Sequence, residues 1–213
     1  MINAIDYDED SVELIKRKLS QPDFKGDNWS DEDIIDLKGH IKKFYIAEQQ
    51  HRCAFCRQII RSTNGRHWDI EHIIPRDTCA YFMFASQNLC VSCIDCNSNK
   101  GVKKVTSSKA KKQLPNKSEK YLIYHPHFDN YDDHLVVIKE GVFYQARSAK
   151  GEQTMYVCGL SRFYDFAGYD KTLSSDARIL LLAKMLGETD DEEIKNGLYK
   201  EIAALTLVNL VNK

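Results

Sequence analysis

Cysteine spacing is the first chemical signal in this chain. Cys53-Ala-Phe-Cys56 and Cys93-Ile-Asp-Cys96 form two CxxC pairs, a spacing that lets two thiolates on a tight turn take adjacent corners of a metal tetrahedron. Four thiolates close the shell, so the expected ion is a structural Zn²⁺ held by Cys53, Cys56, Cys93 and Cys96. Cys90-Val-Ser-Cys93 is a competing CxxC; the later pair is preferred because Asn97 and Lys100 come after it at positions with chemistry of their own. The chain has seven cysteines, an odd number that suits metal binding better than a disulfide framework. Cys79, Cys90 and Cys158 read as small buried residues.

A simple zinc ribbon has about 15 to 20 residues between its pairs, whereas 36 separate Cys56 from Cys93. That insert holds Trp68-Asp69-Ile70-Glu71-His72-Ile73-Ile74-Pro75-Arg76, then Gln87-Asn88-Leu89, and leads into Cys96-Asn97-Ser98-Asn99-Lys100-Gly101. At these residues the sequence resembles the HNH family of ββα-metal nucleases. That family's pattern is an acid-His-Ile-x-Pro strand, a central Asn-Leu strand, and a CxxC followed by His or Asn, two residues and Lys. The resemblance covers about residues 50 to 104. It departs in two places: Glu71 stands where Asp is more usual, and no glycine pair lies between Pro75 and Asn88.

Hydrolysis of a phosphodiester needs a deprotonated water and a cation against the charge that develops on phosphate. His72 suits the first task because imidazole titrates near neutral pH. The resemblance implies that His72 is the general base and that Glu71 and Asn97 bind the catalytic ion. It also implies that Asn88 hydrogen-bonds backbone to hold the loop beside the base. A carboxylate and an amide oxygen are hard ligands, which suit Mg²⁺ or Mn²⁺ better than zinc. Lys100, one turn beyond Asn97, and Arg76, after the strand, are expected to reach phosphate oxygens. Adjacent side chains on a strand point to opposite faces, so Glu71 and His72 share a side only if the strand ends or bulges there.

Charge is distributed unevenly around this motif. Residues 1 to 40 carry eleven acids and five bases, while residues 100 to 120 carry eight lysines and one acid, Glu119. Lys103, Lys104, Lys111 and Lys112 are the expected DNA contacts. The whole chain has a net charge of -1, short of the basic excess of a protein that finds DNA unaided. A His125-Pro-His-Phe-Asp129 segment, His134 and Gly159-Leu-Ser-Arg162 are similar to parts of small HNH nucleases of bacterial anti-phage systems such as Septu, whose HNH subunit works with an ATPase. The resemblance therefore implies a DNA endonuclease leaving 5′-phosphates, active in antiviral defence beside an ATPase partner. The alternatives are an autonomous restriction or homing-type nuclease and a non-catalytic zinc module that binds nucleic acid or protein. One site cuts one strand, so a double-strand break calls for a homo-oligomer, a second visit or an assembly.

The elements that must carry these residues emerge from periodicity. Val12, Leu14, Ile15 and Leu19 recur at helical spacing before Pro22, and Ile34, Leu37, Ile41, Phe44 and Tyr45 do so from about 31 to 49, with Ser30 and Asp33 as a capping arrangement. Strands are expected around 68–73, around Leu89, over 121–129, and from His134 through a turn at Glu140-Gly141. Asn97 is expected to open a short helix that Gly101 loosens, and helices are expected from about Ser175 to Leu186 and from Thr189 to Val211. Leu181, Met185 and Leu198 on the last two read as core or as a partner surface. His125, His127, Asp129 and His134 invite a metal reading, but Pro126 and strand alternation separate their directions.

The expected class is α+β: a zinc-stapled ββα core flanked by an N-terminal helical segment and a C-terminal β-hairpin plus helices. Its parts are an acidic helical segment (1–49), the core with the zinc site (50–104), a lysine-rich connector (105–120) and a hairpin and helical region (121–213). Hydrophobic residues at 43% and charged residues at 29% are ordinary globular usage and exclude a disordered or low-complexity chain. The acidic opening MINAIDYDED is unlike a signal peptide, and no apolar run approaches the roughly 18 residues that span a bilayer. A cytoplasmic protein is expected.

Overall fold

The charges that flank the first apolar stripe fit a helix dipole: acids at its start, bases at its end. In the computed structural model that stripe is α1 (Glu9–Leu19), capped by the Asp8 carboxylate, which accepts from the Ser11 amide at 2.8 Å. The structure describes residues 1–62, 64–162 and 174–211. The chain divides into two compact units, 1–161 and 162–213. The segments 1–49, 50–104 and 105–120 thus share one unit with residues 121–161.

A 3-10 turn over Gly26–Ser30 leads to a second at Glu32–Ile34 and then to α2 (Ile35–Glu48). The capping expected from Ser30 and Asp33 does not form. The Asp31 and Asp33 carboxylates instead hold the buried Lys18 ammonium, at 2.7 and 2.5 Å. Leu37, Ile41 and Tyr45 are the buried face of α2. At its end the Gln49 amide both donates to and accepts from the backbone of Val91, at 2.8 Å each. This saturates a strand edge that would otherwise stay open.

Strands β1 (Trp68–His72) and β2 (Leu89–Cys93) pair antiparallel, with Trp68 opposite Cys93, Glu71 opposite Cys90 and His72 opposite Leu89. Alternation divides the pair into two faces. Trp68, Leu89 and Val91 join Ile34, Leu37, Ile41 and Tyr45 in one apolar cluster. Asp69, Glu71 and Cys90 face the other way, toward α3 (Ile94–Lys100). Cys93 caps α3, placing Asn97 in its middle, and Gly101 ends it at φ +46°, a conformation that favours glycine.

The connector bridges back once, Thr106 pairing with Tyr121. Beyond it, residues 122–129 are irregular where a strand was expected. Asp129 draws the chain into a turn by accepting from the His125 amide at 2.7 Å, the Ser118 hydroxyl and the Lys150 ammonium at 2.7 Å. Strands β3 (Leu135–Lys139) and β4 (Phe143–Ala146) form the expected hairpin. Helix α4 (Ala149–Cys158) is not anticipated by the sequence pattern. Gly151 interrupts that pattern because a Cβ there would sit 1.9 Å from the His134 carbonyl oxygen.

In the second unit α5 (Ser174–Glu188) and α6 (Glu192–Val211) pack together, and Asp191 caps α6 through the Glu193 and Ile194 amides. Leu182 and Leu198 are buried, while Leu181 and Met185 are exposed. The expected core face is therefore only partly core. The fold is mixed α and β, with two small two-stranded sheets. Among the described residues no helix is long and apolar enough to cross a membrane.

Candidate metal centre and the strand beside it

Cys53 and Cys56 lie on the turn after α2, Cys93 ends β2 and Cys96 is in the first turn of α3. All four are buried, and their sulfurs lie within 4.8 Å of one another. Cys56 and Cys93 sulfurs are 3.8 Å apart, and a tetrahedron with Zn–S bonds of about 2.3 Å has edges of about 3.8 Å. The Cys93 amide donates to the Cys53 sulfur at 3.3 Å and the Cys96 amide to the Cys93 sulfur at 3.4 Å. Hydrogen bonds from the neighbouring thiols pull the Cys93 thiol down, while burial pushes the Cys53 thiol up. These residues could hold a metal ion such as zinc. Cys90 does not join them, since its side chain is on the opposite face of β2 from Cys93. Among the described residues no other group of three or more His, Cys, Asp or Glu converges this way.

The other end of α3 carries a different cluster. Lys100 is 1% exposed; its ammonium donates to Glu71 Oε1 at 2.6 Å and to the His72 carbonyl at 2.8 Å. Lys100 therefore does not stand at the surface to meet a phosphate, as expected from its spacing; it neutralises a buried carboxylate. Glu71 Oε2 is buried without a partner. Burial pushes the Glu71 carboxyl up to about 7, with Lys100 opposing the rise. One turn earlier the Asn97 amide donates to Asp69 Oδ2 at 2.7 Å.

His72 lies on the far face. Because β1 stays extended through His72, Glu71 and His72 point apart. Imidazole Nε2 is 3.1 Å from the Met83 carbonyl oxygen, a pure acceptor, which fixes the proton on Nε2 and leaves the Nδ1 lone pair free. Trp29 packs edge-on against the ring at a centroid distance of 4.5 Å. Burial, with Arg76 and Lys100 nearby, lowers its pKa to about 3. The imidazole is neutral at physiological pH.

Asn88 is fully buried and clamps the loop between the strands. Its Oδ1 accepts from the Ile74 amide at 2.8 Å, and its Nδ2 donates to the Ile74 and Phe82 carbonyls at 3.1 Å each. Arg76 is half-exposed beside Asp77. Lys103 donates to the Val157 carbonyl and lies over the Tyr156 ring, while Lys104, Lys111 and Lys112 are exposed. Lys111 also donates to the Thr78 carbonyl, tying the basic connector to the loop after β1.

The histidines further along are separated by their partners. His125 stacks on Phe128, His127 Nε2 meets the Leu89 carbonyl at 2.7 Å, and His134 pairs with Ser148. Two residues beside the strand escape a reading of the sequence alone: Asp69 and Trp29. Asp69 has a visible signal, its two-residue spacing from Glu71; Trp29 has none. No family model matches this chain, and no curated protein or solved structure is similar to it at a significant level.

Proposed function

We propose that the protein is a metal-dependent HNH-type endonuclease hydrolysing DNA phosphodiesters, working in bacterial anti-phage defence beside an ATPase. The observation that carries this reading is the convergence of sequence order and geometry. The run Glu71-His72, Asn88-Leu89, Cys93-x-x-Cys96-Asn97-x-x-Lys100 folds as two antiparallel strands and a helix, with thiols at one end and carboxylates at the other. The Asn88 clamp fits the orienting role that the resemblance gives it.

In this reading the protein's groups divide the work. His72 holds its proton on Nε2 against Met83; burial makes Nδ1 a weak base, so it would take a proton from water there only once solvent reaches the ring and restores its basicity. Asn88 fixes the loop that presents Met83 to it. Glu71 and Asn97 would hold Mg²⁺ or Mn²⁺ on the α3 side of β1, supplying positive charge against the scissile phosphate. Since His72 points to the other side and Glu71 is buried against Lys100, base and ion would meet one phosphate only after the end of β1 rearranges. Arg76 and the exposed lysines would bind the flanking backbone. Cys53, Cys56, Cys93 and Cys96 would hold Zn²⁺, which would staple a motif too short to fold on apolar burial alone.

The surroundings of His72 favour partner dependence over an autonomous nuclease. His72 is 5% exposed and Trp29 packs on it, so water and phosphate reach it only when the turn carrying Trp29 shifts. A partner that binds the acidic N-terminal segment would supply that shift. The second reading, a zinc-stapled binding module without catalysis, draws on the burial of Glu71 against Lys100. Supercoiled plasmid incubated with Mg²⁺ or Mn²⁺ tests the proposal. Nicks with 5′-phosphate ends support it, and intact plasmid with every metal, with and without the ATPase, leaves the binding module.

A further inference from the structure

Asn97 can serve a hard cation only through Oδ1, because its amide nitrogen has no lone pair to give. An asparagine amide on a helix can turn over and present either end. Here a neighbour removes that freedom: Asp69 Oδ2 lies 2.7 Å from Asn97 Nδ2. An ionised carboxylate only accepts, so the NH₂ must face it and Oδ1 must face away. Asp69 is two residues before Glu71 and on the same strand face, about 7 Å along the backbone. On that face Glu71 Oε2 is buried and has no partner. A free carboxylate oxygen and an amide oxygen set by its neighbour are two of the groups that a hard divalent ion takes.

We propose that Asp69 is a positioning residue for the cation site, acting through the Asn97 amide to aim its oxygen at the ion held with Glu71. The inference rests on the nuclease reading of Glu71 and Asn97 and adds a residue to it. Residues that hydrogen-bond a metal ligand and fix its orientation typically contribute 10- to 100-fold in affinity, and Asp69 has the hydrogen bond through which such an effect acts. Its negative charge also draws the cation to this face.

The test is Mn²⁺ binding, measured by electron paramagnetic resonance on the zinc-loaded full chain. Thermal unfolding and zinc content are read on the same samples. Wild type should bind one Mn²⁺. Asp69→Ala should weaken that binding by about 10-fold or more, with zinc content unchanged. Asp69→Asn, which keeps an acceptor oxygen and the side chain's shape, should lose less and guards against misfolding of the alanine variant. In an Asn97→Ala background Asp69→Ala should add less than about twofold, because its effect runs through the absent amide. Wild-type affinity in Asp69→Ala, or a full additional loss on top of Asn97→Ala, overturns the positioning role while leaving the cation site standing. Absence of Mn²⁺ binding in zinc-loaded wild type overturns the cation site, and Asp69's role with it.

Discussion

The two ends of α3 are built from opposite materials. At its start four thiols meet, buried, with sulfurs within 4.8 Å and no other polar side chain needed to complete a tetrahedron. At its end a buried carboxylate meets one ammonium, and one of its oxygens is left over. The first arrangement is saturated once an ion enters and has no open position for a substrate. The second is unsaturated in protein contacts alone, which a fold selected only for stability would avoid by using apolar residues. The contrast separates an end that could hold a metal such as zinc from an end that leaves a buried carboxylate oxygen unpartnered.

Removing the staple should have the largest effect. Cys53→Ser deletes one of four ligands, and structural zinc contributes of order 10 kcal/mol to folding in small motifs, comparable to the whole stability of a domain. Loss of cooperative thermal unfolding together with bound zinc is expected. A variant that unfolds like wild type without zinc would erase the contrast between the two ends. Next is Lys100→Met, which strands Glu71 in the core. Breaking a buried pair from one side costs about 3 to 5 kcal/mol, measurable by denaturant unfolding at pH 8. The loss should shrink toward pH 5, where a carboxyl raised to about 7 is protonated in the folded state.

The face of β1 that carries His72 predicts a pH effect of its own. Its folded pKa, about 3, lies below the ordinary value of 6.5. The unfolded chain therefore takes up the proton first, so the stability it contributes is fully present above pH 6.5 and falls as pH drops toward 3. Between pH 6.5 and 5 wild type should lose about 2 kcal/mol relative to His72→Phe. Zinc release affects both proteins and cancels in the difference; equal slopes would mean that His72 charges freely in the folded state. The smallest effect is reserved for the surface. Changing Lys103, Lys104, Lys111 and Lys112 to Gln should weaken DNA binding and flatten its salt dependence, with only a small fall in unfolding temperature from the lost Lys103 and Lys111 hydrogen bonds. An unchanged salt slope would mean that the connector is only solvated.

Much of this is legible in the chain. The cysteine spacing anticipates the thiol cluster, Trp68 and Ile70 mark β1, and Pro22 and Gly101 follow helix ends in recognisable ways. The features that stay hidden depend on contacts distant in sequence. Asp33 reads as a helix cap until Lys18 arrives from α1 to claim it. Lys100 reads as a phosphate ligand until the fold buries it against Glu71. Helix α4 has a weak apolar pattern because Gly151 is there for close approach to His134, and Asp129 bends a segment that strand propensity favours. Trp29 over His72 joins residues 43 positions apart, beyond the reach of any local pattern.

If the division of labour holds, His72 does chemistry and the thiols do not. The most direct test compares wild type with His72→Ala on supercoiled plasmid with Mn²⁺, adding any ATPase encoded beside it if wild type alone is silent. Zinc content and thermal unfolding are read on the same preparations. His72→Ala is expected to stop nicking while zinc stays near one per chain and the protein remains folded. Nicking at the wild-type rate by folded, zinc-loaded His72→Ala would remove His72 from the chemistry.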